Sequence, residues 1–150
     1  MNWSIGMQPD STDWNIINRL SENYAPNSVV AREMGLSEGA IRQRIKKLQD
    51  AGILKIKALR NPEILENQQL ALLGVNVAES KLLDQKAQEI AELEGVISVA
   101  IVSGRYDLIV EILVASNKGL IQFLTKTLST IKGISKTETF VMLKTHNKWL

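Results

Sequence analysis

Residues 31–45 read Ala-Arg-Glu-Met-Gly-Leu-Ser-Glu-Gly-Ala-Ile-Arg-Gln-Arg-Ile. Gly35 stands where a helix commonly ends in the left-handed conformation, which only glycine adopts without strain. Ser37 is a natural N-cap two residues later. The stretch therefore predicts two helices joined by a short turn. One runs from Val29 to Met34, capped by Asn27 or Ser28; the other runs from Ser37 to Ala51 and is closed by Gly52. In the second, Ile41, Ile45 and Leu48 fall at i, i+4 and i+7 and must face a core. Upstream, Asp13 can cap a further helix whose stripe is Ile16, Ile17 and Leu20, ending near Asn23 where Tyr24-Ala25-Pro26 breaks the pattern. A helix-turn-helix needs a small residue at the helix crossing, a glycine in the turn and apolar residues inside the second helix. Ala31, Gly35 and Ile41 supply these.

Charge follows the same boundary. The chain of 150 residues has 18 Lys+Arg against 16 Asp+Glu, a net charge of +2. Residues 1–60 hold 9 basic and 6 acidic side chains, and residues 61–150 hold 9 and 10. Seven of the basic residues lie within 41–60, beside a single acid, Asp50. Such a local excess points to an anionic partner. The first turn, Ser37, Glu38, Gly39 and Ala40, is small enough to approach base edges in a major groove. Arg42, Gln43, Arg44, Lys46 and Lys47 can reach phosphates or bases of double-stranded DNA. The alternative is an amphipathic helix whose basic face is merely solvated. Turn, cap and basic face together favour DNA.

Beyond Gly52 the pattern alternates, with Leu54, Ile56 and Ala58 on one side and Lys55 and Lys57 on the other, which predicts a strand with a cationic outer face. Asn61-Pro62 ends it, and a polar stretch to Gln69 reads as a linker. The chain thus divides into 1–60, a linker 61–69, and 70–150. The last part repeats internally. A β-rich run Leu70–Val77, a helix from about Leu82 to Leu93 and a β-run to Val102 return about 37 residues on, as Asp107–Val114, a helix from about Lys118 to Ile131, and a β-run to Leu143. Two βαβ halves of this kind give the ferredoxin-like βαββαβ arrangement, so the fold class is α+β. Helices cover one face of such a sheet. Leu108, Val110, Ile112 and Val114 alternate with Ile109, Glu111 and Leu113, so the open face is largely apolar too. Dimerisation through that face is expected.

Several functions are excluded or unsupported. There is no Cys, hence no disulfide, thiolate metal site or cysteine nucleophile, and one His, His146. No phosphate-binding glycine loop and no serine with a plausible base appears, so neither enzyme activity nor a cofactor is expected. No apolar run approaches the ~18 residues needed to cross a bilayer. Met1–Asp13 lacks the basic and apolar regions of a signal peptide, so a soluble cytoplasmic protein is expected. His146 reads as a solvated residue near a flexible end. Trp3, Trp14 and Trp149 lie near the chain ends, with Trp14 packing on the first helix or on a partner subunit.

Asp13…Ile17…Leu20, Ala31-x3-Gly35-Leu36-Ser37, Ile41-x2-Arg44-Ile45-x2-Leu48-x2-Ala51-Gly52-Ile53 and Asn61-Pro62 closely resemble the Lrp/AsnC (feast/famine) family of prokaryotic transcriptional regulators. Ser103-Gly104-Arg105-Tyr106-Asp107 is similar to that family's Gly-x-Tyr-Asp loop, and Thr137-Glu138-Thr139 to its Thr-rich last strand. The resemblance runs from about Asp10 to Leu143. It departs at Leu65-Glu66-Asn67-Gln68, where the family usually has a Gly before the first strand. It implies a winged helix-turn-helix joined by a hinge strand to an effector-binding βαββαβ domain of the RAM/ACT-like type. It also implies dimers assembling into tetramers, octamers or open helical rings in the cytoplasm, on the nucleoid, with an amino acid or related metabolite bound between dimers. The effector contacts implied are Gly104, Arg105, Tyr106 and Asp107 with Thr137, Glu138 and Thr139.

From the residues alone, Gly104 can open backbone amides to a ligand carboxylate and Asp107 can meet an α-ammonium. Equally, both can simply make the hairpin turn between two strands. Two other functions stay open at this point. One is a ligand-sensing subunit that docks on a protein partner; the other is an architectural DNA-binding protein without an effector.

Overall fold

In the computed structural model, which describes residues 6–150, α1 (Ser11–Glu22) begins three residues before the position expected. The cap is Asp10, not Asp13. Its carboxylate accepts the Asp13 N–H at 2.8 Å, while Asp13 accepts the Asp10 N–H at 3.1 Å, a reciprocal capping box. α2 (Asn27–Met34) starts directly after Pro26, with neither Asn27 nor Ser28 as a side-chain cap. It ends at Gly35 with φ 65°, and the Leu36 N–H bonds back to Ala31 O at 2.9 Å. Ser37 caps α3 (Glu38–Asp50) by accepting the Ala40 N–H at 3.2 Å. Ile16, Val30, Ala31, Ile41 and Ile45 form the core between the three helices. The Arg19–Glu33 ion pair, at 2.6 Å, ties α1 to α2 outside it.

The strand expected after Gly52 is absent among the described residues. Residues 54–61 form neither helix nor strand and join no ladder. Leu54 packs on the helical core, while Ile56 is about half exposed. Alternation suffices for a two-sided path, but a strand needs a hydrogen-bonded neighbour, and among the described residues none bonds to the backbone of residues 55–59.

The chain divides into two compact units between Ala58 and Leu59. The stretch expected as a linker holds a 3₁₀ turn, Pro62–Ile64, and gives its last two residues to β1 (Gln68–Val77). Asn67, just before β1, takes the left-handed conformation at φ 57°. Asn tolerates that region better than most residues.

The second unit continues through α4 (Leu83–Ala91), β2 (Val96–Ile101), β3 (Leu108–Ala115), α5 (Ser116–Gln122) and β4 (Ile134–Val141). The path of α5 continues as a π turn, Phe123–Thr127, and a 3₁₀ turn, Leu128–Thr130. The antiparallel sheet has the order β2-β3-β1-β4, the ferredoxin-like arrangement. Its helix-covered side buries Ala71, Leu73, Val75, Leu108, Val110 and Ile112 against Ile90, Leu120, Phe123 and Leu128. The opposite side carries three rows fixed by register. These are Leu113 beside Leu70, then Glu111–Leu72–Phe140, then Ile109–Gly74–Glu138.

That open side is partly covered by the chain itself. Arg60 and Leu150 exchange backbone hydrogen bonds of 2.8 and 3.0 Å. Glu63 accepts both the N–H and the hydroxyl of Thr145 at 2.9 Å. Lys148 Nζ stands 2.5 Å from Glu111 Oε1, and Glu111 is buried. His146 is exposed as expected, but the end of the chain around it is fastened rather than loose. Trp14 is 52% exposed, which leaves its indole largely off the helical core, and Trp3 lies outside the described residues.

Replacing Lys148 by Met leaves a buried carboxylate without its cation. We expect a loss of about 1–3 kcal/mol, read as a lower urea midpoint, with Glu111→Gln in the same chain recovering part of it. The Thr145 bonds hold the Glu63 carboxyl below its ordinary value near 4.5. Their contribution is therefore full above that value and is lost as the pH falls through the lowered folded one. Glu63→Gln should flatten the acid limb of a stability–pH profile; an unchanged limb would show that these bonds contribute nothing.

Candidate DNA-reading helix and effector loop

At about 100° per residue, Ile41, Ile45 and Leu48 define the inner side of α3. Gly39, Gln43, Lys46 and Asp50 then lie opposite, with Arg42 and Lys47 flanking them. The cations are not free charges. Arg42 pairs with Glu38 at 2.8 Å and Lys46 with Asp50 at 2.7 Å, both one helical turn apart and both solvent-exposed. Such exposed pairs are worth about 0.2–1 kcal/mol and exchange readily for a phosphate.

Arg44 differs. Its guanidinium donates to Asp13 at 2.7 Å and to Asp10 at 2.8 Å, and Asp13 is buried. Hydrogen bonds from the Asp13 N–H and then from Arg44 hold the Asp10 carboxyl below the usual range. The same ion pairs raise the already high pKa of Arg44. Arg44 is thus a clamp fixing α3 against the start of α1. Lys47 and Gln43 have no side-chain partner among the described residues.

The connection between β2 and β3 is a hairpin, with Ile101 opposite Leu108 and the Val102 N–H bonded to Asp107 O at 3.0 Å. Gly104, at φ 134°, lies in a region that excludes side chains. The Asp107 carboxylate faces its own backbone, accepting the Val77 N–H at 2.9 Å, and its N–H bonds to Val75 O at 3.0 Å. Asp107 fastens the loop to the end of β1. An α-ammonium would have to compete with those bonds.

Tyr106 folds over the open side of the sheet. Its ring covers Gly74, where an added Cβ would come within 2.7 Å of it. It meets Phe140 edge-on with 6.2 Å between centroids. Its hydroxyl donates to Glu138, and this bond pushes the tyrosine pKa up. The Arg105 guanidinium stands 5.5 Å over the same ring and 3.4 Å from the Glu138 carboxylate. Arg105, Tyr106 and Glu138 therefore form one half-buried cluster with both signs of charge, Arg105 at its exposed edge. Thr137 and Thr139 do not join it. They pair with Val75 and Leu73 and so point to the helix-covered side, because neighbours on a strand alternate. Gly74 escaped the sequence reasoning, though a glycine inside a strand is a signal of close approach. Among the described residues no group of His, Asp or Glu could hold a metal ion, and no helix is long and apolar enough to cross a membrane.

Residues 70–148 match the family described as Lrp/AsnC ligand binding domain, and residues 9–55 match winged helix-turn-helix DNA-binding. The HTH-type transcriptional regulator FL11 of Pyrococcus abyssi is 33% identical over 141 residues, covering 93% of this chain and 92% of that protein. The leucine-responsive regulatory protein of Haemophilus influenzae is 27% identical, covering 90% and 84%. A Neisseria meningitidis transcriptional regulator, solved as a complex with L-methionine, superposes with a TM-score of 0.66 at 25% identity. That likeness covers 91% of each chain.

Removing the clamp should separate folding from DNA contact. We expect Arg44→Ala to lower the urea midpoint, because it leaves the buried Asp13 without its cation, while leaving the salt slope of DNA binding unchanged. Lys47→Ala should reduce that slope by about 0.9 per lost phosphate contact. Fluorescence anisotropy over a salt series, beside urea unfolding, distinguishes the two; a flattened slope in Arg44→Ala would return Arg44 to the phosphates.

Proposed function

The chain belongs to the Lrp/AsnC family of transcriptional regulators, and from that premise we propose that α3 reads double-stranded DNA while an amino acid or related metabolite on the second unit sets the assembly that presents it. The protein is a DNA-binding regulator with a ligand-binding domain, in a family of regulators rather than enzymes.

The observation that carries the effector assignment is the Arg105–Tyr106–Glu138 cluster. A free amino acid bears a carboxylate and an ammonium on one carbon. Arg105, exposed, and Glu138, half-buried, stand 3.4 Å apart and offer a partner for each. Gly104 leaves the loop backbone open to approach. The L-methionine complex of the Neisseria relative supports this chemical class. Asp107 we assign to holding the loop, and Thr137 and Thr139 to the helix-side edge of β4, outside this cluster.

Assembly is the second part of the proposal. Leu72, Ile109, Leu113 and Phe140 lie on the open side, and Phe140 is 45% exposed. A second copy covering this side gives a homodimer, and further contacts between dimers give a tetramer, an octamer or larger. Such a protein works in the cytoplasm on chromosomal DNA, with no membrane partner.

A thermal-shift panel of the amino acids on the full chain tests the reading. A ligand at 100 times its Kd stabilises by about 2.7 kcal/mol, so a clear rise in Tm is expected for at least one. Glu138→Gln should abolish it. Light scattering with the same ligand should show a change of mass. A flat panel would leave an effector-free DNA-binding protein as the better description.

A further inference from the structure

We propose that Gln43 is the specificity-determining residue of α3 and that it reads adenine. The proposal rests on α3 being the DNA-reading helix, and it follows from how the helix disposes of its other polar groups. Arg44 is held by Asp10 and Asp13, so it cannot turn outward without leaving the buried Asp13 carboxylate unpaired. Arg42 and Lys46, each in a weak exposed pair with a carboxylate one turn away, exchange that partner for backbone phosphate, which carries no sequence information. Lys47 flanks the outward face and meets phosphate too.

Gln43 remains. It lies opposite the buried Ile41 and Ile45, is exposed, and its amide has no partner among the described residues. One turn earlier on the same side stand Gly39 and Ala40, which let the helix backbone approach a groove floor closely. A glutamine side chain is short, so it needs that approach. An open cleft of about 450 Å³, lined by Ala40, Gln43, Arg44 and Lys47 together with Asp10 and Asp13, runs beside it. A primary amide presents one donor and one acceptor side by side. In the major groove only adenine matches it bidentately, through N6–H and N7. Ala40, one turn away, suits an adjoining thymine methyl.

Selection of full-length protein on randomised duplexes, followed by competition binding of the selected sites, tests this. The wild type should fix adenine at one position in each half-site. Gln43→Ala should reduce the preference there about 5- to 100-fold and leave other positions as they were. Gln43→Arg should move that position to guanine. Both substitutions are on the exposed face, and circular dichroism confirms that each variant is folded. Wild-type binding with sequence preference that Gln43→Ala and Gln43→Arg leave unchanged overturns the role of Gln43 alone. Failure of the wild type to retain any duplex at low salt overturns the assignment of α3 itself.

Discussion

Side chains on a strand alternate between faces, and this constraint governs the second unit. It puts Leu73, Val75, Val110 and Ile112 against the helices and leaves Leu72, Gly74, Ile109, Glu111, Glu138 and Phe140 on the other side. A sheet cannot leave that second side to water when it is this apolar. Part of the answer lies within the chain, where Lys148 reaches Glu111 and Tyr106 covers Gly74. The same alternation divides Thr137-Glu138-Thr139, three consecutive residues that read as one motif. Glu138 joins the loop cluster and its two neighbours face away.

The first unit is governed by pairing of charges. Asp10 and Asp13 serve twice, as capping box and as anchor for Arg44, so the start of α1 and the middle of α3 hold each other. Two of the remaining three cations of α3 also face a carboxylate. The helix that looks basic in composition is locally close to neutral. On the proposed reading, discrimination then comes from an uncharged group and from shape, while the exposed pairs open to phosphate.

What was legible in the sequence follows from the range of each signal. Helix ends at Gly35 and Ser37, the core positions Ile41 and Ile45, and the twice-repeated βαβ pattern are local, and the structure has them. Pairings across long separations left no local trace. Arg44 lies 31 residues from Asp13, and Glu63 lies 82 from Thr145. The first gives Arg44 a structural partner that composition does not reveal, and the second fastens a chain end expected to be loose. The strand at Leu54–Ala58 failed for a related reason, since period shows a two-sided path but not a neighbour.

The Arg105–Tyr106–Glu138 cluster and the open side of the sheet are mechanically one object. Tyr106 bonds Glu138 and leans on Phe140, and Phe140 stands in the row of Leu72 and Glu111. On the proposed reading, a ligand ammonium at Glu138 competes with the Tyr106 hydroxyl, and a ligand carboxylate draws Arg105 from the ring face. Either change releases Tyr106 from Gly74, which alters the surface that a second copy would cover. A ligand shifts assembly only by its difference in affinity between two states. Moving a population from 1:99 to 99:1 needs about 5.5 kcal/mol, more than one exposed ion pair supplies. The aromatic contacts that move with Tyr106, repeated in each copy of an oligomer, are the physical source from which that remainder is drawn.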